Sequence, residues 1–274
     1  MSARRARRRD LAIIAACGAI LALAAAAALW PQLLAPVDPL AVDPRAAFRP
    51  PSPAHWLGTD ESGRDILVRI VHGAGASLGI GAGATAIGLG LGACLGAASA
   101  LGGRLADAAI GRIVDVGFAF PLVLLALLLV VLAGPGAATA AVAVGLATAP
   151  GYARIVRGEV RRVARSAYVD AERALGRGRW SILARTIAPN VAGSLVALAT
   201  LGLGQAIVWA SGLSYLDLGV RPPEPEWGAM LSAGRSYLSA TGWWMTIGPG
   251  SAIVLVALAA TLLGRAIERR RRDR

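Results

Sequence analysis

The chain has 274 residues, 56% of them hydrophobic and only 16% charged, with a mean hydropathy of +0.60. Soluble domains carry ~25% charged residues, so this composition excludes a single water-soluble globule and describes a membrane protein. All 28 basic residues are arginine and the formal charge is +12; without lysine, a P-loop and lysine Schiff-base chemistry are excluded.

Six apolar runs predict spanning helices, in the order 11–30, 76–101, 113–132, 137–152, 191–213 and 245–264. The first follows Arg4, Arg5, Arg7, Arg8 and Arg9. A basic start before an apolar stretch also describes a secretory signal, but signal cores run ~7–15 residues. This run is longer and closes at Trp30 and Pro31, so it is expected to be retained as a helix. Cys17 and Cys94 lie inside apolar runs, which argues against a disulfide. Together with His55 and His72 they are too few for a structural zinc site.

The second run carries two glycine triplets at a spacing of four, Gly75, Gly79 and Gly83, then Gly88, Gly92 and Gly96. Small residues at i, i+4 let helix backbones approach closely in lipid, so helix packing is the favoured reading and a backbone-lined substrate path the alternative. The third and fourth runs are separated by Ala133, Gly134, Pro135 and Gly136, a tight turn between antiparallel helices. Pro150 and Gly151 are expected to interrupt the end of the fourth. Asp115 is the one acid near a span, at its edge, where it can reach water or Arg112. An ion-coupled secondary transporter keeps an ionisable residue mid-membrane, and its lack argues against that class. Gln205 is mid-span and read as an interhelical hydrogen bond.

The segments between the runs alternate in charge. One side, holding both termini, carries 22 arginines against 8 acids; the other carries 6 against 8. The positive-inside rule places both termini in the cytoplasm. Charge therefore reports topology and gives no reason to expect nucleic acid as a partner. An intramembrane hydrolase is also disfavoured, because G-x-S-x-G and H-E-x-x-H constellations are missing.

Residues 154–190, on the cytoplasmic side, are the most informative stretch. Val156, Val160, Val163, Ala167, Ala171 and Ala174 recur at helical spacing, which predicts one helix with a narrow apolar stripe, ended by Gly176. Trp180, Leu183 and Ile187 form a second short stripe before Pro189. Such a helix–turn–helix under the bilayer fits either a basic amphipathic surface element or a docking element for a cytoplasmic partner.

Asp170-Ala171-Glu172, then Gly176, then Thr186-Ile187-Ala188-Pro189 resembles the EAA loop of bacterial ABC importer permeases, whose pattern is E-A-A, three residues, G, nine residues, I-x-L-P. Spacing matches throughout; Asp170, Glu172, Thr186 and Ala188 depart from it. The run Leu57-Gly58-Thr59-Asp60-Glu61-Ser62-Gly63-Arg64-Asp65 resembles the LGTDxxGRD signature of dipeptide, oligopeptide and nickel permeases, and Arg69, Gly73, Ser77 and Leu78 fit the same branch. The segment from Leu218 to Leu231 is similar to its LGLGVxPPxPEWGxML segment, with Asp217 in place of a common glycine. Gly264-Arg265 stands where Gly-Asp is usual. On these motifs the chain resembles the C-type permease of a dipeptide or oligopeptide (or nickel) ABC importer, in the binding-protein-dependent transport inner-membrane family.

The resemblance implies an all-α polytopic membrane protein of the ABC importer type I permease fold, with six transmembrane helices and cytoplasmic N- and C-termini. Its expected parts are an N-terminal helix plus extracytoplasmic linker (1–75), a permease core of five helices (76–264) and a basic tail (265–274). It implies a multi-pass subunit of the bacterial cytoplasmic membrane that is no enzyme itself and needs no cofactor, ATP being hydrolysed on partner subunits. The expected partners are a second homologous permease, two cytoplasmic ATPases, an extracytoplasmic substrate-binding protein and the peptide. Glutathione or nickel is the alternative cargo. Tyr168, Asp170, Ala171, Glu172, Ala174, Leu175, Gly176 and Pro189 would form the ATPase-coupling surface. Gly58, Thr59, Asp60, Gly63, Arg64 and Asp65 form the extracytoplasmic motif, read either as a helix cap with Arg64 paired to an acid or as a binding-protein contact. The 213–244 loop reads as a re-entrant or interfacial plug, with Pro222, Pro223, Glu226 and Trp227 facing the binding protein, and Trp243-Trp244 as an interfacial aromatic belt.

Overall fold

A computed structural model describes residues 2–238 and 242–272, with side chains from residue 11 to 269; positions 273 and 274 of the basic tail lie outside the described residues. Among the described residues all regular structure is helical. In chain order the helices are α1 (Ser2–Leu29), α2 (Pro31–Leu34), α3 (Ile66–Leu101), α4 (Gly103–Ala119), α5 (Leu122–Ala133), α6 (Ala137–Ala164), α7 (Ala167–Ala174), α8 (Arg179–Ile182), α9 (Ala188–Tyr215), α10 (Trp227–Gly234) and α11 (Trp243–Arg272). A π turn over Leu183–Ile187 joins α8 to α9.

Among the described residues, five helical stretches are long and apolar enough to cross a bilayer: Leu11–Leu29, Ile66–Leu101, Ala137–Ala164, Arg179–Tyr215 and Trp243–Arg269. The expected third span departs from its sequence reading. It is broken into α4 and α5, which meet at 87°. Phe120, directly before Pro121, is extended at φ −87°, ψ 117°, because the proline ring disfavours helical backbone in the residue preceding it. The 12 residues of α5 reach only ~18 Å, short of a ~30 Å hydrocarbon core.

The fourth span differs in the opposite sense. Pro150 lies inside α6, which continues unbroken to Ala164. The bulk of its ring is accommodated by Gly117 of α4, where a Cβ would lie 2.6 Å from Pro150 Cγ. Packing on α3, α5 and α9 holds α6 along its length and offsets the ~3 kcal/mol a helical proline costs.

The most extensive pairing joins α3 to α6. Gly88, Gly92 and Gly96 are buried there, and a Cβ on Gly96 would lie 2.6 Å from the Ala153 carbonyl oxygen. This triplet is a backbone-to-backbone seam, as close packing in lipid requires. The first triplet is not a seam: Gly75 faces α1, Gly83 faces Ala141, and Gly79 has open space. Around the seam, Ile80, Ala84, Ala143, Val144, Ala206 and Leu213 form the central core. Gln205 is exposed on α9. Asp115 pairs with Arg154 at 3.3 Å rather than with Arg112, both partners exposed.

Candidate functional sites at the two ends of the bundle

On the side that charge assigns to the cytoplasm, the single helix expected across 154–176 is two. α6 stops at Ala164, Arg165 and Ser166 break it, and α7 begins at Ala167. Ser166 is extended, and its Oγ donates to the Val163 carbonyl at 2.7 Å, competing with helical continuation. The apolar stripe divides at this break. Val156, Val160 and Val163 are buried, whereas Ala167, Ala171 and Ala174 are exposed.

What holds α7 to the bundle is Val169, fully buried with Val160, Val163, Ile182 and Ile187. Sequence reasoning passed over it. The available signal was that Val169 is the one branched aliphatic in the octapeptide Ala167–Ala174. Arg173 adds a tie, its Nη2 donating to the Ala164 carbonyl at 3.2 Å.

The predicted coupling residues then fall into two groups. Tyr168, Asp170, Ala171, Ala174, Leu175 and Pro189 are exposed, Leu175 at 79%, and exposed Trp180 (83%) extends the same surface. Asp170 pairs with Arg173 at 2.9 Å. Glu172 and Gly176 shape the turn instead. Gly176 has φ +78°, its N–H donates to the Arg173 carbonyl and that of Arg177 to the Glu172 carbonyl, a Schellman cap that favours glycine. The Glu172 carboxylate accepts from Arg177 Nη1 at 3.0 Å and from Thr186 Oγ1 at 2.8 Å. Two departures from the EAA pattern, Glu172 and Thr186, are therefore partners: a polar pair joins the turn where the pattern has two apolar residues.

At the other end, the LGTDxxGRD residues fold into a compact loop at the entry to α3. Gly63 has φ +78°, and a Cβ there would run into the Asp43 carbonyl oxygen. Gly58 has φ +75° and lies against Trp244. Thr59 is buried, accepts from Arg49 N at 2.8 Å and donates to the Ala46 carbonyl. Asp60 accepts from the backbone N–H groups of Ser62 and Arg64, both at 2.9 Å, and from Arg64 Nε at 2.6 Å. Arg64 also reaches Glu61 at 2.9 Å. Asp65 caps α3, accepting from Val68 N at 3.1 Å, and its other oxygen meets His55 Nδ1 at 2.9 Å. The cap and the Arg64 pair are thus both present.

The second extracytoplasmic motif packs onto this loop, a juxtaposition no local pattern predicts. Buried Arg69 donates to the carbonyls of Pro39 and Pro223, each at 3.1 Å, and lies 3.7 Å from Asp60. Glu226 caps α10, accepting from Gly228 N at 2.9 Å, Ala229 N at 2.8 Å and Ser77 Oγ at 3.0 Å. Trp227 donates from its backbone to Ser77 Oγ and from its indole to the Ile70 carbonyl. Gly73 leaves room for the Pro225 carbonyl, 3.0 Å from where its Cβ would be.

Two expectations are corrected here. Pro222 and Pro223 are exposed, but Glu226 and Trp227 are 1% and 2% exposed and face the interior. Three donors on one carboxylate offset the cost of taking its charge out of water. The segment expected as a plug contains a short helix, α10, packed against α3, α9 and α11, and its positions 239–241 lie outside the described residues. The expected aromatic belt also divides: Trp243 is exposed, while buried Trp244 donates its indole N–H to the Thr59 carbonyl at 3.0 Å.

An all-helical bundle crossing the membrane several times, with a short helix hung beneath it, defines the type I ABC importer permease fold. A solved structure of the MetNI methionine ABC transporter, in an inward-facing conformation, aligns with a TM-score of 0.57 at 20% identity, covering 74% of this chain and 97% of that one. Residues 88–273 match the model of the binding-protein-dependent transport system inner membrane component family, and the chain belongs to that family. It is 37% identical to the probable D,D-dipeptide transport system permease protein DdpC of Escherichia coli (strain K12), over 85% of this chain and 78% of the relative. It is 40% identical to the glutathione transport system permease protein GsiD of Pectobacterium atrosepticum, over 95% and 86%. The dipeptide transport system permease protein DppC of Alkalihalophilus pseudofirmus is 35% identical, over 86% and 78%.

Proposed function

We propose that this chain is the C-type permease subunit of an ATP-driven importer that moves dipeptides or oligopeptides across the bacterial cytoplasmic membrane. It pairs with a second homologous permease to form one path, receives cargo from an extracytoplasmic binding protein, and works with two cytoplasmic ATPases that hydrolyse the ATP. The chain needs no cofactor of its own. Residues 168–176 are the docking element for an ATPase, and Pro222 and Pro223 belong to the surface offered to the binding protein.

The observation that carries this reading is α7 itself. An eight-residue helix is held to the bundle chiefly by one valine, while Ala171, Ala174, Leu175 and Trp180 are exposed. Small side chains permit close docking, and a helix displaced by a partner carries that motion into α6, an element-scale shift of the kind that switches packed bundles.

The test is uptake of a labelled dipeptide by cells or vesicles holding the complete importer. Uptake that needs ATP and the binding protein is expected; uptake indifferent to ATP would overturn the reading. A second cargo, glutathione, is favoured by the 40% identical glutathione relative. Unlabelled glutathione displacing the dipeptide more strongly than another dipeptide does would decide for it.

A further inference from the structure

α4 is attached to the bundle in an unusual way. Its one buried residue is Val114, and a cleft of about 390 Å³ opens between it, α3 and α6, lined by Ser99, Ile110, Val114 and Arg154 among others. Apolar packing therefore holds α4 weakly. The strong tie is polar and centres on Asp107. Its carboxylate accepts from Arg157 in a two-pronged pair, Nε at 2.6 Å and Nη2 at 2.7 Å. It also accepts from Arg161 Nη2 at 2.8 Å and from Ser99 Oγ at 2.6 Å. One side chain of α4 thus fastens the end of α3 and the last turns of α6. Paired, two-pronged carboxylate–guanidinium contacts fix geometry as well as strength.

The same end of α6 leads to α7. Arg161 lies three residues before Ala164, whose carbonyl takes Arg173 of α7, and Val160 and Val163 bury Val169. We propose that Asp107 is a positioning residue for transport: its clasp makes α3, α4 and α6 move as one body, so that displacement of α7 reaches the bent α4–α5 segment. This rests on the reading of α7 as the partner-docking helix. Without the clasp, α6 would shift past α4 across the cleft, and partner motion would be dissipated there.

Two measurements test it. In the assembled importer, Asp107→Asn is expected to keep ATP hydrolysis near the wild-type rate while cargo taken up per ATP falls about tenfold, with Asp107→Glu regaining most of it. Unchanged uptake per ATP in an assembled Asp107→Asn importer overturns the proposal. Should that variant not assemble, Arg161→Gln, which keeps the Arg157 pair, is expected to lose about threefold, and no loss again overturns it. The second measurement uses the whole chain alone in lipid vesicles, with Cys17→Ser and Cys94→Ser and spin labels at Leu105→Cys and Ile155→Cys. The α4–α6 distance distribution is expected to be narrow with Asp107 and broad with Asp107→Asn; equal widths overturn the clasp. That readout needs neither cargo nor ATPase. A wild-type importer that ignores peptides would overturn the cargo reading alone.

Discussion

The two ends of this bundle are built on opposite plans. The extracytoplasmic end is a knot: Asp60, Arg64, Arg69, Thr59, Ser77, Glu226 and Trp244 are buried, and their hydrogen bonds join segments as much as 185 residues apart. The cytoplasmic end hangs a short helix on Val169, and the polar contacts of α7 include local pairs, Asp170–Arg173 and Glu172–Arg177. Exposed short-range ion pairs contribute little, roughly 0–1 kcal/mol each, whereas a buried charge with all its partners resists any movement that would unpair it. The contrast separates a fixed platform from the element that the proposed function leaves to be completed by another chain.

Substitutions can break or sharpen that contrast. The largest effect is expected from Gly176→Asp. Its left-handed backbone costs a non-glycine residue about 1–2 kcal/mol, and a new carboxylate beside the α7 C-terminus opposes the helix dipole. Uptake is expected to be lost while membrane insertion is unchanged, checked by transport and by surface labelling. Normal ATP-dependent uptake would show that the turn is not where partners engage. Next comes Glu226→Ala, which strands Ser77 Oγ and two backbone N–H groups and is expected to destabilise the protein by about 3–5 kcal/mol. Thermal unfolding in detergent measures it, and a fall no larger than that of an exposed control such as Pro222→Ala would dissolve the idea of a knot.

Val169→Ala is expected to cost about 2 kcal/mol through two lost methyl groups and the cavity left behind. Hydrogen exchange should quicken in α7 and leave α10 unchanged; equal quickening at both ends would erase the difference between them. The smallest stability effect belongs to Trp180→Ala, within about 0.5 kcal/mol because the ring already faces outward. Co-purification of the ATPase subunits should weaken nonetheless, and full retention would remove Trp180 from the docking surface.

Much of this was legible in the chain. Long apolar runs, the turn at 134–136, the glycine seam of Gly88, Gly92 and Gly96, and the stop at Gly176 are local patterns with local causes. The errors came where two local signals of equal strength met different surroundings. Pro150 reads as an interruption, whereas the run 113–132 reads straight across Pro121. Pro121 ends a helix because Phe120 turns extended, while Pro150 is carried through because Gly117 makes room for its ring. The alanine stripe of α7 ran on at helical spacing, yet Ser166 breaks the helix and leaves those alanines outside.

Composition and periodicity by themselves determined that the chain lives in a membrane and where most of its long apolar helices fall, and the sidedness of arginine sets the expected orientation, since burial in lipid and charge act residue by residue. Tertiary structure alone decided which polar groups are interior. Glu226 and Arg69 look like ordinary surface charges until distant segments supply their partners. Their interior places depend on several donors or acceptors converging at once, and that convergence is a property of the packed bundle.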